Sequence, residues 1–105
     1  MTAYEHIRVA RRGAVAVVEL DNPPLNVITV DVGRDLKAAC TAFARDPELR
    51  VVVFRSAHPG IFTAGADITM MARIADEPGL LEEFADVIDV FDHVAALPMP
   101  TICRL

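Results

Sequence analysis

The chain has 105 residues, of which 53 % are hydrophobic, so it fits one small domain or part of a larger one rather than a disordered segment. Its net charge of −5, without a basic cluster, predicts no nucleic-acid partner. No apolar run approaches the roughly 20 residues of a membrane-spanning helix, so no membrane association is expected. Cys40 and Cys103 have no metal-type or redox-type spacing, and residues 1–6 lack the features of a secretory signal. These features predict a cytoplasmic setting and no metal site.

The first half of the chain predicts a hairpin followed by a helix. β-Rich runs at residues 7–10 and 15–20 flank a turn that contains Gly13, and two prolines after residue 22 end the second strand. Thr29 is a suitable N-cap for an amphipathic helix over residues 30–45, in which apolar residues recur at helical spacing. An Asp-Pro pair at residues 46–47 ends this helix.

The second half predicts a buried strand, two helices and a further strand. Residues 51–54 are continuously apolar, as in a parallel strand that is covered on both faces. A first helix is expected over residues 67–74, and Asp76-Glu77-Pro78 should begin a second. The expected buried stripe of the second helix is Leu81, Phe84, Ile88, Phe91 and Ala95. A strand begins at residue 101, and the order ββ-α-β-α-α-β predicts an α/β fold with crossover connections.

The segment FTAGADI at residues 62–68 is the best candidate for chemistry. Its small residues leave backbone N–H groups accessible just before a helix N-terminus, which favours negative charge. A phosphate loop is disfavoured, because Ala66 and Asp67 stand where Lys and Ser/Thr should follow Gly65. Two readings remain: an oxyanion hole, in which an N–H group stabilises the enolate oxygen of a thioester, and an ordinary strand-to-helix turn.

Four motifs in register resemble the enoyl-CoA hydratase/isomerase (crotonase) family. Residues 62–68 resemble its F-(S/A/T)-A-G-x-D-(L/I) signature, and the other three motifs are NPPLNVI at 22–28, DPELRVVVF at 46–54 and LPMPTI at 97–102. The resemblance covers the chain from about residue 7. It implies an α/β crotonase-like (ClpP/crotonase) fold of repeated β-β-α units with a parallel sheet. It also implies a function in fatty acid metabolism, with hydration of 2-enoyl-CoA thioesters as the expected reaction.

The resemblance also implies roles for individual residues. Ala66 would supply the first oxyanion-hole N–H group. Coenzyme A is part of the thioester substrate, so no separate cofactor is expected. The implied substrate contacts are Ala64, Asp67 and Ile68 around the adenine, Gly65 where the substrate approaches, and Leu25 and Val27 along the pantetheine and adenosine. Asp67 is also expected to cap the helix that follows it.

The chain departs from the family pattern in ways that limit its expected activity. No segment matches the glycine-rich turn that gives the second oxyanion N–H group, and no glutamate matches a catalytic position. Residues 1–105 are therefore expected to be the N-terminal part of a crotonase-like domain, inactive alone and trimeric or hexameric when full length. The alternatives are a non-catalytic acyl-CoA-binding or assembly module and a truncated product without function.

Overall fold

The computed structural model describes residues 4–105, so the first three residues of the N-terminal stretch discussed above lie outside it. It contains four strands and three helices in the predicted order ββ-α-β-α-α-β. The elements are β1 (Ile7–Arg12), β2 (Val15–Leu20), α1 (Val30–Ala44), β3 (Val51–Ser56), α2 (Ile68–Ile74), α3 (Leu80–Ala95) and β4 (Thr101–Cys103).

The four strands form one mixed sheet in the order β1-β2-β3-β4. The β1–β2 hairpin is antiparallel and turns at Gly13, whose φ of 57° suits glycine. The pairs β2–β3 and β3–β4 are parallel, with Leu20 aligned to Ser56. Because β2 and β3 end in register, the segments that follow them leave the sheet at the same edge. This edge carries the candidate site.

One face of the sheet packs on helices α1 and α3. Burial alternates along β2 and β3. The core is a single cluster contributed mainly by these strands, α1 and α3, together with Ile7 of β1 and the loop residues Ile28 and Leu49. Val51 and Val53 are only half-buried. The prediction that β3 is covered on both faces is therefore wrong for the described residues, because their helices cover one face only. The edge strand β4 is exposed throughout, in keeping with Arg104 directly after it.

Helix α1 follows the sequence pattern closely. The side chain of Thr29 accepts a hydrogen bond from the Val32 N–H group at 3.2 Å, so the predicted N-cap is confirmed. Val32, Leu36 and Phe43 are buried, as their helical spacing predicts. The helix ends at Ala44, before the Asp-Pro pair.

Helix α3 differs from its prediction in both its start and its buried face. It begins at Leu80 rather than at residues 76–78, which form a turn in which Leu81 N donates to Pro78 O. Val87 and Val90 are the buried residues, whereas most of the predicted stripe is exposed: Leu81 57 %, Ile88 50 % and Phe91 61 %. The helix is apolar on both of these faces, so periodicity could not decide which one faces α1.

Candidate functional site

Two loops meet at the sheet edge where β2 and β3 end. The Ala64 N–H group donates to the Leu25 carbonyl oxygen at 2.9 Å, and the Ile28 N–H group donates to the Gly65 carbonyl oxygen at 2.8 Å. Ile28 and Ala66 form an isolated parallel bridge. The loop after β2, residues 22–28, is thus joined by backbone hydrogen bonds to the small-residue segment after β3.

The side chain of Asn26 lies between these loops. Asn26 is 1 % exposed and is the buried polar residue of the described range. Its Nδ2 donates to the Phe62 carbonyl oxygen at 3.0 Å and to Ser56 Oγ at 2.7 Å, and its Oδ1 accepts from the Asn22 N–H group at 2.9 Å. Its φ of 50° lies in the left-handed region, which Asn tolerates better than most residues. The side chain therefore connects the end of β3 and both loops.

Thr63 and Gly65 shape the segment just before Ala66. Thr63 Oγ1 donates to the Asn26 carbonyl oxygen at 2.6 Å and accepts from the Gly65 N–H group at 3.0 Å. Gly65 has a φ of 104°, a conformation that side chains rarely adopt. Glycine is therefore needed at this position because of the backbone dihedral angle and not because of crowding, since a Cβ atom there would meet nothing within 4 Å.

Ala66 lies at the wall of an apolar cavity of about 300 Å³. Among residues 4–105, no hydrogen bond is formed by the Ala66 N–H group. The lining is almost entirely apolar and contains no Asp or Glu. The strands, α1, the two loops and α3 all contribute to it. The lining residues are Leu20, Ile28, Leu36, Phe54, Phe62, Thr63, Gly65, Ala66, Val90, Phe91, Val94, Ala95 and Cys103. The site therefore combines a backbone donor with space for an apolar group.

Asp67 caps the short helix α2, as the sequence predicts. Its Oδ1 accepts from the N–H groups of Thr69 at 3.0 Å and Met70 at 3.3 Å. Helix α2 begins at Ile68, whose side chain is 77 % exposed. The capping role of Asp67 is confirmed, and its contact with a ligand stays a prediction.

The predicted site residues fall into two groups. Gly65 and Ala66 line the apolar cavity, whereas Leu25, Val27, Ala64, Asp67 and Ile68 do not. Leu25 is half exposed and reaches Ala64 through its carbonyl oxygen, and the Val27 carbonyl oxygen accepts from Asn22 Nδ2 at 2.9 Å. The second group lies around the loops outside the cavity, and its contact with coenzyme A stays a prediction.

A polar cluster of Arg8, Asp21 and His58 joins the loop that follows β3 to the end of β2. His58 Nε2 lies 2.7 Å from Asp21 Oδ1, and Arg8 Nε donates to Asp21 Oδ2 at 2.8 Å. The hydrogen bond from His58, followed by that from Arg8, lowers the pKa of Asp21. The His58 side chain is only 33 % exposed and is paired with Asp21. It borders an open, more polar cavity of about 770 Å³.

Sequence reasoning missed the central position of Asn26. The available signal was an Asn after a Pro-Pro pair, a context typical of a turn that needs positive φ. That signal cannot reveal partners 30 and 36 residues away.

Residues 4–105 hold no group of three or more His, Cys, Asp or Glu side chains arranged to bind a metal ion. In the same part of the chain, none of the helices has both the length and the hydrophobicity of a membrane-spanning segment.

Comparison with known proteins identifies the family. The family model described as enoyl-CoA hydratase/isomerase matches residues 10–105. The mouse mitochondrial methylglutaconyl-CoA hydratase is 30 % identical over 101 residues, which are 95 % of this chain and 32 % of that protein. The human mitochondrial enoyl-CoA delta isomerase 1 is 35 % identical over 57 residues, or 54 % of this chain and 19 % of that protein.

A solved structure shows the same fold. The crystal structure of an enoyl-CoA hydratase/carnithine racemase from Magnetospirillum magneticum superposes with a TM-score of 0.85 at 27 % identity, covering 96 % of this chain and 39 % of that one. The α/β crotonase-type fold predicted from the sequence is thereby confirmed.

The chain belongs to the enoyl-CoA hydratase/isomerase family. It spans about a third of the length of the curated relatives it matches.

Proposed function

We propose that the chain binds the thioester end of an acyl-CoA, with the Ala66 N–H group donating to the thioester carbonyl oxygen. One observation carries this proposal: the Ala66 N–H group has no hydrogen-bond partner in the described range, and Ala66 lines an apolar cavity. An acyl chain in that cavity would bring its carbonyl carbon to the wall. A preorganised donor at that point stabilises the negative charge of an enolate oxygen.

Within the whole protein, we propose hydration of a 2-enoyl-CoA. Water adds across the double bond, with its oxygen joining C3 and a proton joining C2, and the thioester oxygen carries the charge in between. Ala66 supplies one donor for that charge. The acid and base of this reaction are expected from carboxylates, and none lines the cavity among residues 4–105. The matched relatives include both a hydratase and an isomerase, and hydration is the reaction that the sequence resemblance favours.

The test uses a 2-enoyl-CoA whose absorption reports on carbonyl polarisation. Binding to the chain should shift its absorption to longer wavelength, because a donated hydrogen bond draws electron density toward the carbonyl oxygen. Ala66→Pro removes the N–H group and should abolish the shift, whereas Ala66→Ser keeps the N–H group and should retain it. Circular dichroism of both variants checks the fold. A full shift in folded Ala66→Pro would exclude Ala66 as the donor.

A non-catalytic acyl-CoA-binding module is the second candidate, and the absence of carboxylates from the cavity lining of the described residues favours it. Two measurements on the same sample separate it from the hydratase. Calorimetric titration with an acyl-CoA measures binding, and the loss of the conjugated enoyl absorption measures water addition. Saturable binding without turnover supports the binding module, and turnover supports the enzyme. If the chain shows no binding and no turnover, it is a product without function.

We further propose, in line with the sequence predictions, that the whole protein is a homo-oligomer, either a trimer or a hexamer. We also propose that it uses no separate cofactor, because coenzyme A is bound only as part of the substrate. The cytoplasmic prediction is supported by two cysteines that form no disulfide, Cys40 buried and Cys103 exposed. Light scattering of the full-length protein tests the oligomeric state.

A further inference from the structure

We propose that Asn26 is the positioning residue for the Ala66 donor: its side-chain amide fixes the segment 62–66 and thereby aims the Ala66 N–H group into the apolar cavity. This inference rests on the proposed function, because the orientation of the Ala66 N–H group matters for activity only if that group donates to the thioester. Its structural part, the control of segment 62–66 by one buried amide, can be tested without any ligand.

Every hydrogen-bonding group of the Asn26 side chain is used. Both Nδ2 protons have acceptors, Phe62 O at 3.0 Å and Ser56 Oγ at 2.7 Å, and Oδ1 accepts from Asn22 N at 2.9 Å. An amide at 1 % exposure with three partners is strongly oriented, since any rotation would leave buried polar groups unpaired. The partners lie in the turn after β2, at the end of β3 and at the start of the segment that contains Ala66.

The Asn26 backbone extends this control along the segment. Its carbonyl oxygen accepts from Thr63 Oγ1 at 2.6 Å, and the same hydroxyl accepts from the Gly65 N–H group at 3.0 Å. Phe62, Thr63 and Gly65 are therefore all linked to Asn26 directly or through one hydroxyl. Ala66 is the next residue, and its N–H group shares a peptide plane with the Gly65 carbonyl group, whose oxygen accepts from the Ile28 N–H group at 2.8 Å. The contacts of Asn26 therefore fix the residues that lead into this peptide, and the Ile28 bond holds its carbonyl.

Asn26→Asp is the discriminating variant. It keeps the size of the side chain and a residue type that tolerates positive φ, but it places an acceptor against the Phe62 carbonyl oxygen. Asn26→Gly serves as a second variant if the aspartate does not fold, because glycine keeps the backbone conformation and only removes the amide. Asn22→Asp is the matched control. It makes the same chemical change in the same turn, where the amide bonds only Val27 O and does not reach segment 62–66.

Amide hydrogen exchange of the full chain is the first readout. In the Asn26 variants, exchange at Ala64 and Gly65 should rise by about tenfold or more, because losing one partner of a buried hydrogen bond costs about 1.4 kcal/mol or more. Exchange at Val18 and Val52, in the sheet core, should rise no more than in Asn22→Asp. Equal protection of Ala64 and Gly65 in wild type and both Asn26 variants would overturn the proposal.

The absorption shift of a bound 2-enoyl-CoA, measured at saturation, is the second readout. A merely structural role would weaken binding but leave the shift of the bound ligand intact, whereas a positioning role requires the shift to shrink in the Asn26 variants and to persist in Asn22→Asp. An unchanged shift in folded Asn26 variants would overturn the proposal. If wild type itself gives no shift, the proposed function fails, and the exchange result alone decides whether Asn26 controls segment 62–66.

Discussion

The Ile28 N–H group donates to the Gly65 carbonyl oxygen at 2.8 Å, which ties the residue before Ala66 to the loop that follows another strand. The two residues are separated by 37 positions in the chain. The bond exists because β2 and β3 run parallel and end in register. The location of the candidate donor is therefore a property of the sheet edge and not of the small-residue segment alone.

Gly65→Ala should disturb the site through the backbone. At a φ of 104° a Cβ atom is strained whatever the space around it, so we expect a loss of about 1–3 kcal/mol in the free energy of unfolding, together with weaker thioester binding. Urea unfolding measures the first effect. Gly79→Ala is the control: Gly79 has a φ of −61° and open space around it, so alanine there should be neutral or stabilise by about 0.4–1 kcal/mol. Equal effects at both glycines would contradict the argument.

Asp67→Ala should weaken the start of α2. Losing both hydrogen bonds to the cap should cost about 0.5–2 kcal/mol, visible as faster amide exchange at Thr69 and Met70. Asp67→Asn keeps a capping oxygen and should behave almost as wild type in that measurement. If Asp67→Asn nevertheless reduces acyl-CoA affinity, the carboxylate contacts the ligand in addition to capping the helix.

Asp21 should make the chain sensitive to acid. Its folded-state pKa lies below the ordinary 3.8, mainly because of the hydrogen bond from His58. A carboxyl group with a lowered pKa contributes stability above its unfolded pKa and loses that contribution as the pH falls through the folded pKa. Stability measured from about pH 5 downward should therefore fall less steeply in Asp21→Asn than in wild type. Asp76→Asn, at an exposed turn, is the control for the loss of one surface carboxylate.

Neighbouring residues on α3 test the corrected orientation of that helix. Val87 is 3 % exposed and packs on α1 at Gly33, whereas Ile88 is 50 % exposed. Val87→Ala should lower the free energy of unfolding by about 1–3 kcal/mol, and Ile88→Ala should change it by about 0.5 kcal/mol or less. Chemical denaturation of both variants decides the matter. The reverse order of effects would restore the stripe predicted from periodicity.

The two thiols should differ in reactivity. Burial raises the pKa of Cys40 to about 11, so little thiolate forms near neutral pH, whereas Cys103 is exposed on the edge strand. Iodoacetamide under native conditions should label Cys103 and leave Cys40 unmodified, as peptide mass spectrometry can show. Labelling of Cys40 at a comparable rate would mean that α1 opens from the sheet. In denaturant both thiols should react.

Local features of the site were predictable from the sequence, and its long-range features were not. Thr29 and Asp67 act as helix caps as predicted, because capping depends on a side chain and an N–H group two or three residues away. The cavity beside Ala66 was not predictable, since its wall includes Val90 and Phe91 from a helix whose orientation periodicity assigned wrongly. The partners of Asn26 were not predictable either, because Ser56 and Phe62 lie 30 and 36 positions further along the chain.

The order of strands and helices, the turn at Gly13, the small-residue segment before Asp67 and the family of the chain could all be predicted from the amino-acid sequence. These depend on backbone conformations and on spacing, which neighbouring residues specify. Three features emerged only from the folded chain: Asn26 is the buried connection between two loops, Ala66 lines an apolar cavity, and Val87 rather than Ile88 faces the core. Each of these depends on contacts between distant parts of the chain, and the parallel pairing of β2 with β3 brings those parts together.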